Sequence, residues 1–139
     1  MKRIFICFDF DNDRHYAYLL TALAQNPNFS LNFENRTPGE VQSTDVARIK
    51  AALTRRIKSA THTLVVVGQH ANSLHALRSQ IGEDNWQHWE IVQSINEGKK
   101  LIGVKIERHF IAPRPMLNRN ATWAHSYNVP AITAAIDQA

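Results

Sequence analysis

The chain has 139 residues, a length typical of one domain, and a chain of this size buries roughly 70% of its unfolded surface on folding. Apolar residues make up 44% and charged residues 20%, a globular composition that excludes a low-complexity or disordered chain. The formal charge is +4, but the basic residues are dispersed, so solvated helix faces are favoured and a nucleic-acid partner is not expected.

The single cysteine, Cys7, lies within an apolar run and has no partner for an internal disulfide. It is expected to pack as a small apolar side chain in a reducing compartment. No stretch approaches the ~18 apolar residues of a membrane span, and the first residues lack the apolar core and cleavage site of a signal peptide. We therefore predict a cytoplasmic protein with no membrane partner.

The first elements follow from short-range patterns. Residues 3–8 (RIFICF) form a short apolar run before an acidic turn, which predicts a strand buried on both faces. Apolar residues then recur at helical spacing within 13–25, with cap candidates at 11–13. Residues 29–34 alternate apolar and polar side chains, which predicts a half-buried strand at the sheet edge.

The middle of the chain carries the strongest strand signal. After a loop at 35–43, an apolar stripe predicts an amphipathic helix at 44–59, capped by Ser43 or Thr44. Residues 62–68 (HTLVVVG) are rich in β-branched residues and apolar on both faces, which predicts a central strand. The polar segment that follows, 69–84, is expected to hold at most a short helix at 73–79.

The last part begins with a helix predicted at 85–97. Asp84 and Gln87 are spaced like a capping box at its start, and Gly98 is placed to end it. An apolar strand is predicted at 100–106. Beyond it we expect a Pro-containing loop, a short strand around 121–125 and a final helix from Pro130.

Strands that alternate with helices predict right-handed crossovers around a parallel sheet. The fold class is therefore α/β, a flavodoxin-like three-layer sandwich with a mostly parallel four- or five-stranded sheet and helices on both faces. We predict a single domain over residues 1–139. Sheets of this kind bind ligands outside the carboxyl ends of their strands. The segments brought to that edge are 8–13, 33–36, 68–72 and 107–109.

Several common site types are absent from the sequence. There is no zinc-type His and Cys spacing, no GxGxxG or GxxxxGK[ST] motif and no GxSxG elbow. The acids that follow the first strand are interpreted as helix caps, so no metal site is predicted.

Glu90 is the most informative charged residue of the edge. In a βαβ unit the helix N-terminus lies at the ligand edge, and Glu90 is five residues into its helix, whereas Glu97 lies ~10 Å further along at about 1.5 Å per residue. On a helical wheel Glu90 falls beside Trp86, at the margin of the apolar arc. The pattern leaves two interpretations open: a solvated surface glutamate, or a partly desolvated carboxylate with a raised pKa.

Three segments carry a resemblance to a known family: 3–13, 61–68 and 85–106. Together they resemble TIR-like domains, specifically the bacterial branch that includes the Thoeris anti-phage defence proteins, over residues 2–107. The most specific element is the family pattern Ser-x-Trp-Val-x-Trp/Tyr-Glu-Ile, which appears here as Asp84, Trp86, Trp89, Glu90 and Ile91. Departures from the family are Asp84 for serine, Gln87 for valine and Cys7 for the usual serine of the first strand.

The resemblance implies an NAD+ glycohydrolase or ADP-ribose cyclase with Glu90 as its catalytic residue, NAD+ as its substrate and no separate cofactor. Cleavage of the nicotinamide–ribose bond develops an oxocarbenium-like cation while a pyridinium leaves as a neutral ring, so one carboxylate suffices. Sequence position and resemblance together give these candidate substrate-binding residues: Phe8, Asp9, Phe10, Asn35, Gly68, Gln69, His70 and Trp86.

The resemblance also suggests partners. An effector protein that senses the nucleotide product is expected in anti-phage defence, and a homo-oligomer is expected, with the loop at 35–43 as a candidate contact. The choice between hydrolysis and cyclisation stays open. The alternative is a non-catalytic TIR-like adaptor or nucleotide-binding module that keeps the fold without turnover.

Overall fold

The computed structural model describes residues 1–26, 33–37 and 39–139. Its centre is one parallel sheet of five strands in the order β2-β1-β3-β4-β5. This is the strand order of flavodoxin-like folds, and it confirms the predicted α/β class. The strands are β1 (Arg3–Cys7), β2 (Glu34–Asn35), β3 (His62–Val67), β4 (Lys100–Lys105) and β5 (Thr122–Ala124).

Helices cover both faces of the sheet because its buried strands alternate their side chains between two apolar cores. One core contains Ile4 and Ile6 of β1, and the other contains Phe5 and Cys7. The first core is closed by α1 and α5, and the second by α2 and α4. The helices are α1 (Phe10–Gln25), α2 (Val46–Ser59), α3 (Arg78–Ile81), α4 (Trp86–Asn96) and α5 (Val129–Gln138), with a short 3-10 helix at Arg114–Met116.

The predicted central strand is confirmed. All six residues of β3 are buried, and β3 pairs along its length with β4, from His62 opposite Lys100 to Val67 opposite Lys105. On its other side β3 pairs with β1. A strand with neighbours on both edges and helices on both faces has no side chain at the surface, which explains the apolar run from Leu64 to Val67.

The predicted caps of the first two helices are wrong by a few residues. Asp9 caps α1, because its side chain accepts a hydrogen bond from the Asp11 amide, so the acids at 11–13 lie inside the first turn. Asp45 caps α2 in place of Ser43 or Thr44. Both helices use a carboxylate that faces the positive helix N-terminus.

The predicted capping box of α4 is also wrong. Asn85 is the cap, and its Oδ1 accepts a hydrogen bond from His88 N at 2.8 Å. The Gln87 side chain is buried and donates a hydrogen bond to Val66 O, so it does not bond to the backbone of the cap residue. Gly98 follows the helix with φ +69°, as expected for a glycine that ends a helix.

Two weakly patterned regions differ from expectation. Of the strand predicted at 29–34, residues 29–32 lie outside the described residues; the strand that the structure shows, β2, is at the sheet edge as predicted but spans Glu34–Asn35. The short helix predicted at 73–79 is found at Arg78–Ile81. Both β5 and α5 are present at the predicted places. Within the described residues, no helix is long and apolar enough to cross a membrane.

Candidate active site

The site begins where β2 ends. After two residues of pairing, Arg36 N donates to Ile4 O at 2.7 Å, and the next free amide of β1, Ile6 N, donates to the Thr37 hydroxyl at 2.5 Å. The Thr37 hydroxyl therefore takes the place of a backbone acceptor from the neighbouring strand, and the chain leaves the sheet after β2. A cavity of about 410 Å³ lies beyond this point, bounded by β1, the loop after β2, α2 and the start of α4.

The cavity reaches from the carboxyl edge of the sheet onto one of its faces. Phe5, in the middle of β1, contributes to its floor, while Phe8 and Phe10 lie at the edge with their ring centres 5.5 Å apart. Ile49 and Leu53 of α2 form a further wall. Its volume lies within the range of small-molecule sites, roughly 300–1,000 Å³.

Six of the nine predicted site residues line this cavity, and they come from the ends of β1 and β3 and from α4. They are Phe8, Asp9, Phe10, His70, Trp86 and Glu90. The other three do not line it. The Asn35 side chain donates to the Thr21 hydroxyl and accepts from the Thr37 amide, and Gln69 is exposed.

Gly68 has a packing role that explains why a glycine follows β3. It is buried, and a Cβ added to it would lie 2.0 Å from Asp13 Oδ2. The Asp13 carboxyl therefore occupies the space of a side chain at position 68. Burial, reinforced by the nearby Asp9, raises the pKa of Asp13, and His70 opposes that rise.

Glu90 is buried, with 8% of its surface exposed, and it forms part of the cavity wall. This placement excludes the solvated-surface interpretation. The helical wheel had put Glu90 at the margin of the apolar arc, but α4 packs against both α2 and the sheet, which widens the buried face of the helix. Burial raises the pKa of Glu90 to about 8, whereas a hydrogen bond from Cys7 and the Arg56 guanidinium act to lower it.

Cys7 lies behind Glu90 in the interior. It is fully buried, and its Sγ lies 3.5 Å from the Gln87 carbonyl oxygen as well as in hydrogen-bonding contact with the Glu90 carboxyl. Burial, with the neighbouring carboxyl, raises the pKa of the Cys7 thiol well above its ordinary value. The thiol therefore stays protonated and serves as a donor. Strand alternation, which puts Cys7 on the same face as Phe5, is the sequence signal for this contact.

Arg56 is a cavity residue that the sequence analysis missed. Ile49, Leu53 and Arg56 follow the i, i+4, i+7 spacing of one helix face, so the arginine continues the apolar stripe of α2. Its Nη1 donates to Gly39 O at 2.9 Å, which ties the loop after β2 to α2. The guanidinium brings a positive charge into a cavity that also contains Asp9, Asp11, Glu40 and Glu90.

The arrangement suits chemistry that develops positive charge. A buried carboxyl faces a cavity with aromatic walls, and it is not enclosed by a set of metal ligands: among the described residues, no three His, Cys, Asp or Glu side chains are grouped to hold an ion. Such a carboxyl, once ionised, stabilises a nearby cation strongly because little water screens it.

The parallel sheet in the order 2-1-3-4-5, with a buried glutamate on the fourth helix facing a cleft at the strand ends, is compatible with a TIR-like domain, and a family model of TIR-like domains matches most of the chain. More narrowly, the chain belongs to the family described as Thoeris protein ThsB, TIR-like domain, whose family model matches residues 5–109. No curated protein matches the chain by sequence.

Solved structures similar to this chain share its fold at low sequence identity. A CMP N-glycosidase, BcmB, from Clostridium botulinum has a TM-score of 0.59 at 13% identity, covering 99% of this chain and 100% of its own. A prokaryotic SEFIR domain has a TM-score of 0.59 at 14% identity, covering 99% and 95%. A 2-deoxyribosyltransferase from Bacillus psychrosaccharolyticus has a TM-score of 0.55 at 15% identity, covering 91% and 88%.

Proposed function

We propose that this protein cleaves the nicotinamide–ribose bond of NAD+, with Glu90 as the catalytic residue. One observation carries the proposal: the glutamate of the TIR-like pattern is buried in the wall of a 410 Å³ cavity that Trp86 and the aromatic end of β1 also line. The names of two similar structures, an N-glycosidase and a deoxyribosyltransferase, add support, because both denote reactions of a glycosyl group.

In the proposed reaction the bond between ribose C1′ and the pyridinium nitrogen breaks, and its electron pair goes to the ring nitrogen. Nicotinamide leaves as a neutral molecule, so its departure needs no proton donor. The remaining ribosyl carbon carries the developing positive charge, which the Glu90 carboxylate stabilises electrostatically. Water then adds to C1′ and loses a proton to give ADP-ribose, or a nucleophile of the same ADP-ribose closes a ring.

The resting state of Glu90 is compatible with this role. With a pKa of about 8 the carboxyl is mostly protonated at neutral pH in the free protein. A bound nicotinamide ring brings its positive charge near the carboxyl and thereby favours ionisation. The substrate therefore helps to generate the ionised carboxylate that acts on it.

The biological role proposed here follows the family. A cyclic or linear ADP-ribose product would serve as a signal for an effector protein in anti-phage defence, and a homo-oligomer is the proposed working form. The second candidate is a non-catalytic adaptor or nucleotide-binding module. Its supporting observation is a set of exposed apolar side chains, of which the first lines the cavity: Leu74, Leu77, Ile111 and Leu117.

Nicotinamide release from NAD+ by the purified protein tests the proposal, over a range of protein concentrations because self-association is proposed. The variants are Glu90→Gln and, as a matched control, Glu97→Gln. Glu97 lies just beyond the other end of α4, where its side chain accepts a hydrogen bond from Gln93 at 3.2 Å. We expect Glu90→Gln to lower the rate at least ~100-fold, the loss typical of removing an electrostatic stabiliser, and Glu97→Gln to leave it unchanged.

Unchanged release by Glu90→Gln would remove Glu90 from the reaction. NAD+ binding without release, at every protein concentration, would favour the nucleotide-binding module. Chromatography of the products separates ADP-ribose from cyclic forms.

A further inference from the structure

Gln87 is a buried polar residue of the cavity wall that the proposed reaction does not yet use. It lies one helical turn before Glu90 on α4, and only 4% of its surface is exposed. Its Nε2 donates to Val66 O at 2.8 Å and lies 3.5 Å from Cys7 O. The amide is thus anchored to the backbone of both central strands, β1 and β3.

These contacts fix which way the amide faces. Reversing it would bring Oε1 against the Val66 and Cys7 carbonyl oxygens, which are acceptors like itself. The nitrogen therefore points to the sheet and Oε1 points away from it. Within the described part of the chain Oε1 has no hydrogen-bond partner, although it is shielded from bulk water.

A shielded acceptor without a partner is unfavourable in a folded protein, and native interiors contain few of them. The position also departs from the TIR-like pattern, which has valine there. The family pattern therefore does not require an acceptor at this place.

We propose that Gln87 is a substrate-binding residue whose Oε1 accepts a hydrogen bond from an N–H or O–H group of the nicotinamide riboside part of the ligand. This inference rests on the proposed function. Because the amide nitrogen already donates to the sheet, only Oε1 is left to meet the ligand, and Gln87 therefore selects ligands that present a hydrogen-bond donor. Two groups of NAD+ offer one close to the bond that breaks, and the proposal is limited to these two: the carboxamide of the ring and the 2′-hydroxyl of the adjacent ribose.

The test measures dissociation constants by calorimetry, which does not require turnover. Three ligands are used: NAD+, its 3-acetylpyridine analogue, which replaces the carboxamide nitrogen by a methyl group, and an analogue that lacks the 2′-hydroxyl of the nicotinamide ribose. Each is titrated into the wild type and Gln87→Met, a near-isosteric change that removes the acceptor. Gln93→Met is the control, since Gln93 is on the same helix but bonds to Glu97 and does not line the cavity.

We expect one of the two analogues to bind the wild type and Gln93→Met roughly 10-fold more weakly than NAD+, as for loss of a hydrogen bond to a buried acceptor. That difference should shrink to less than about 2-fold in Gln87→Met. The analogue that shows the effect identifies the donor as carboxamide or hydroxyl. A structural role alone would weaken all three ligands equally and leave their ratios unchanged, which would overturn the proposal.

Three other outcomes would also decide between the Gln87 proposal and its alternatives. If Gln87→Met does not fold, the wild-type series suffices, because equal affinity for all three ligands overturns the proposal. Selective binding without nicotinamide release would uphold Gln87 as a binding residue and reject the proposed reaction. If none of the ligands binds, both proposals fail.

Discussion

Glu90 is held between groups that act on its protonation in opposite directions. Removal from water favours the neutral acid, whereas the Cys7 thiol and the Arg56 guanidinium favour the carboxylate. The balance leaves its pKa at about 8, close to physiological pH. A small change of charge in the cavity therefore produces a large change in the fraction of ionised Glu90.

This placement predicts a pH dependence of NAD+ cleavage. Because the carboxylate is the proposed active form, kcat/KM should rise from pH 6.5 to pH 9 with a midpoint near 8, the pKa of the free protein. The midpoint of kcat should be lower, since the bound pyridinium stabilises the carboxylate. Both profiles come from initial rates of nicotinamide release in buffers of constant ionic strength. A kcat/KM that falls over this range would show that the acid is the active form.

The sequence singled out Glu90 as a candidate for two reasons. Helix direction places Glu90, and not Glu97, at the ligand edge, and the Trp-x-x-Trp-Glu pattern matches at this one position. The sequence missed the residues that surround Glu90. From the sequence, Arg56 was assigned to a solvated basic helix face. Cys7 was assigned to the core and Gln87 to the capping box of α4. Gln87 is near Glu90 by helix spacing alone, but the contacts of Arg56 and Cys7 with Glu90 depend on how α2 and α4 pack on β1, which is long-range information.

At the scale of elements, Asn85 joins the start of α4 to the segment before it, and His88 Nε2 adds a hydrogen bond to Asn72 Oδ1 at 2.9 Å. Asn85 caps the helix through Oδ1, and its Nδ2 donates to Ala71 O at 3.1 Å and Ser73 O at 2.8 Å. Asn85 therefore anchors both the helix that carries Glu90 and the loop that carries part of the cavity wall.

Two substitutions of Asn85 should separate its role as the cap of α4 from its role as a hydrogen-bond donor to the preceding loop. Asn85→Asp keeps the acceptor for His88 N but loses both donors, whereas Asn85→Ala loses all three bonds. We expect Asn85→Ala to lower the free energy of unfolding by about 1–2 kcal/mol, as for loss of a cap. Hydrogen exchange should become faster in the 70–84 segment in both variants, but at the His88 amide only in Asn85→Ala. Equal exchange of the His88 amide in the two variants would contradict this division.

Elements with a long, regular pattern were predicted well, whereas of the short ones β5 was found at its predicted place and the 3-10 helix was not predicted. The four-turn helices and β3 appear as predicted, because their apolar periodicity is strong over many residues. The 3-10 helix at Arg114–Met116 has no such pattern, and the caps of three helices were misplaced by one to four residues. Several competing Asp, Ser, Thr and Asn side chains precede each helix, and the choice among them depends on backbone geometry.

For the whole molecule, the proton on Glu90 links folding to pH. The pKa of Glu90 is about 8 in the folded protein and about 4.5 in the unfolded chain, so between these values the folded state binds more protons. Its contribution to stability is fully present below pH 4.5, is lost progressively as pH rises, and stays constant above pH 8. The size of the loss is roughly a few kcal/mol.

Glu90→Gln should remove this dependence, since glutamine does not ionise. Thermal unfolding of both proteins from pH 5 to pH 9 measures the difference in Tm. The variant should gain stability relative to the wild type as pH rises and reach a constant advantage above pH 8. His62 and His88, whose pKa values are lowered by burial, contribute equally to both proteins and cancel in the difference. A difference that does not vary with pH would show that Glu90 ionises freely in the folded protein.

The global architecture was accessible from the sequence, since alternating strands and helices leave few arrangements for a chain of this length. The extension of the cavity onto the sheet face could not be predicted from the sequence. It follows from the early end of β2, and β-pairing across the sheet depends on partners more than thirty residues apart, such as Ile4 and Asn35.

That two-residue edge strand gives the cavity two walls of different stiffness. The floor at Phe5 belongs to a strand hydrogen-bonded into the centre of the sheet, so it moves only with the whole domain. The opposite wall, from Gly39 to Ser43, is loop, tied to α2 by Arg56. Insertions or substitutions in this loop can therefore reshape the entrance for ligands of another size while the carboxyl of Glu90 keeps its position, which separates the evolution of selectivity from that of chemistry.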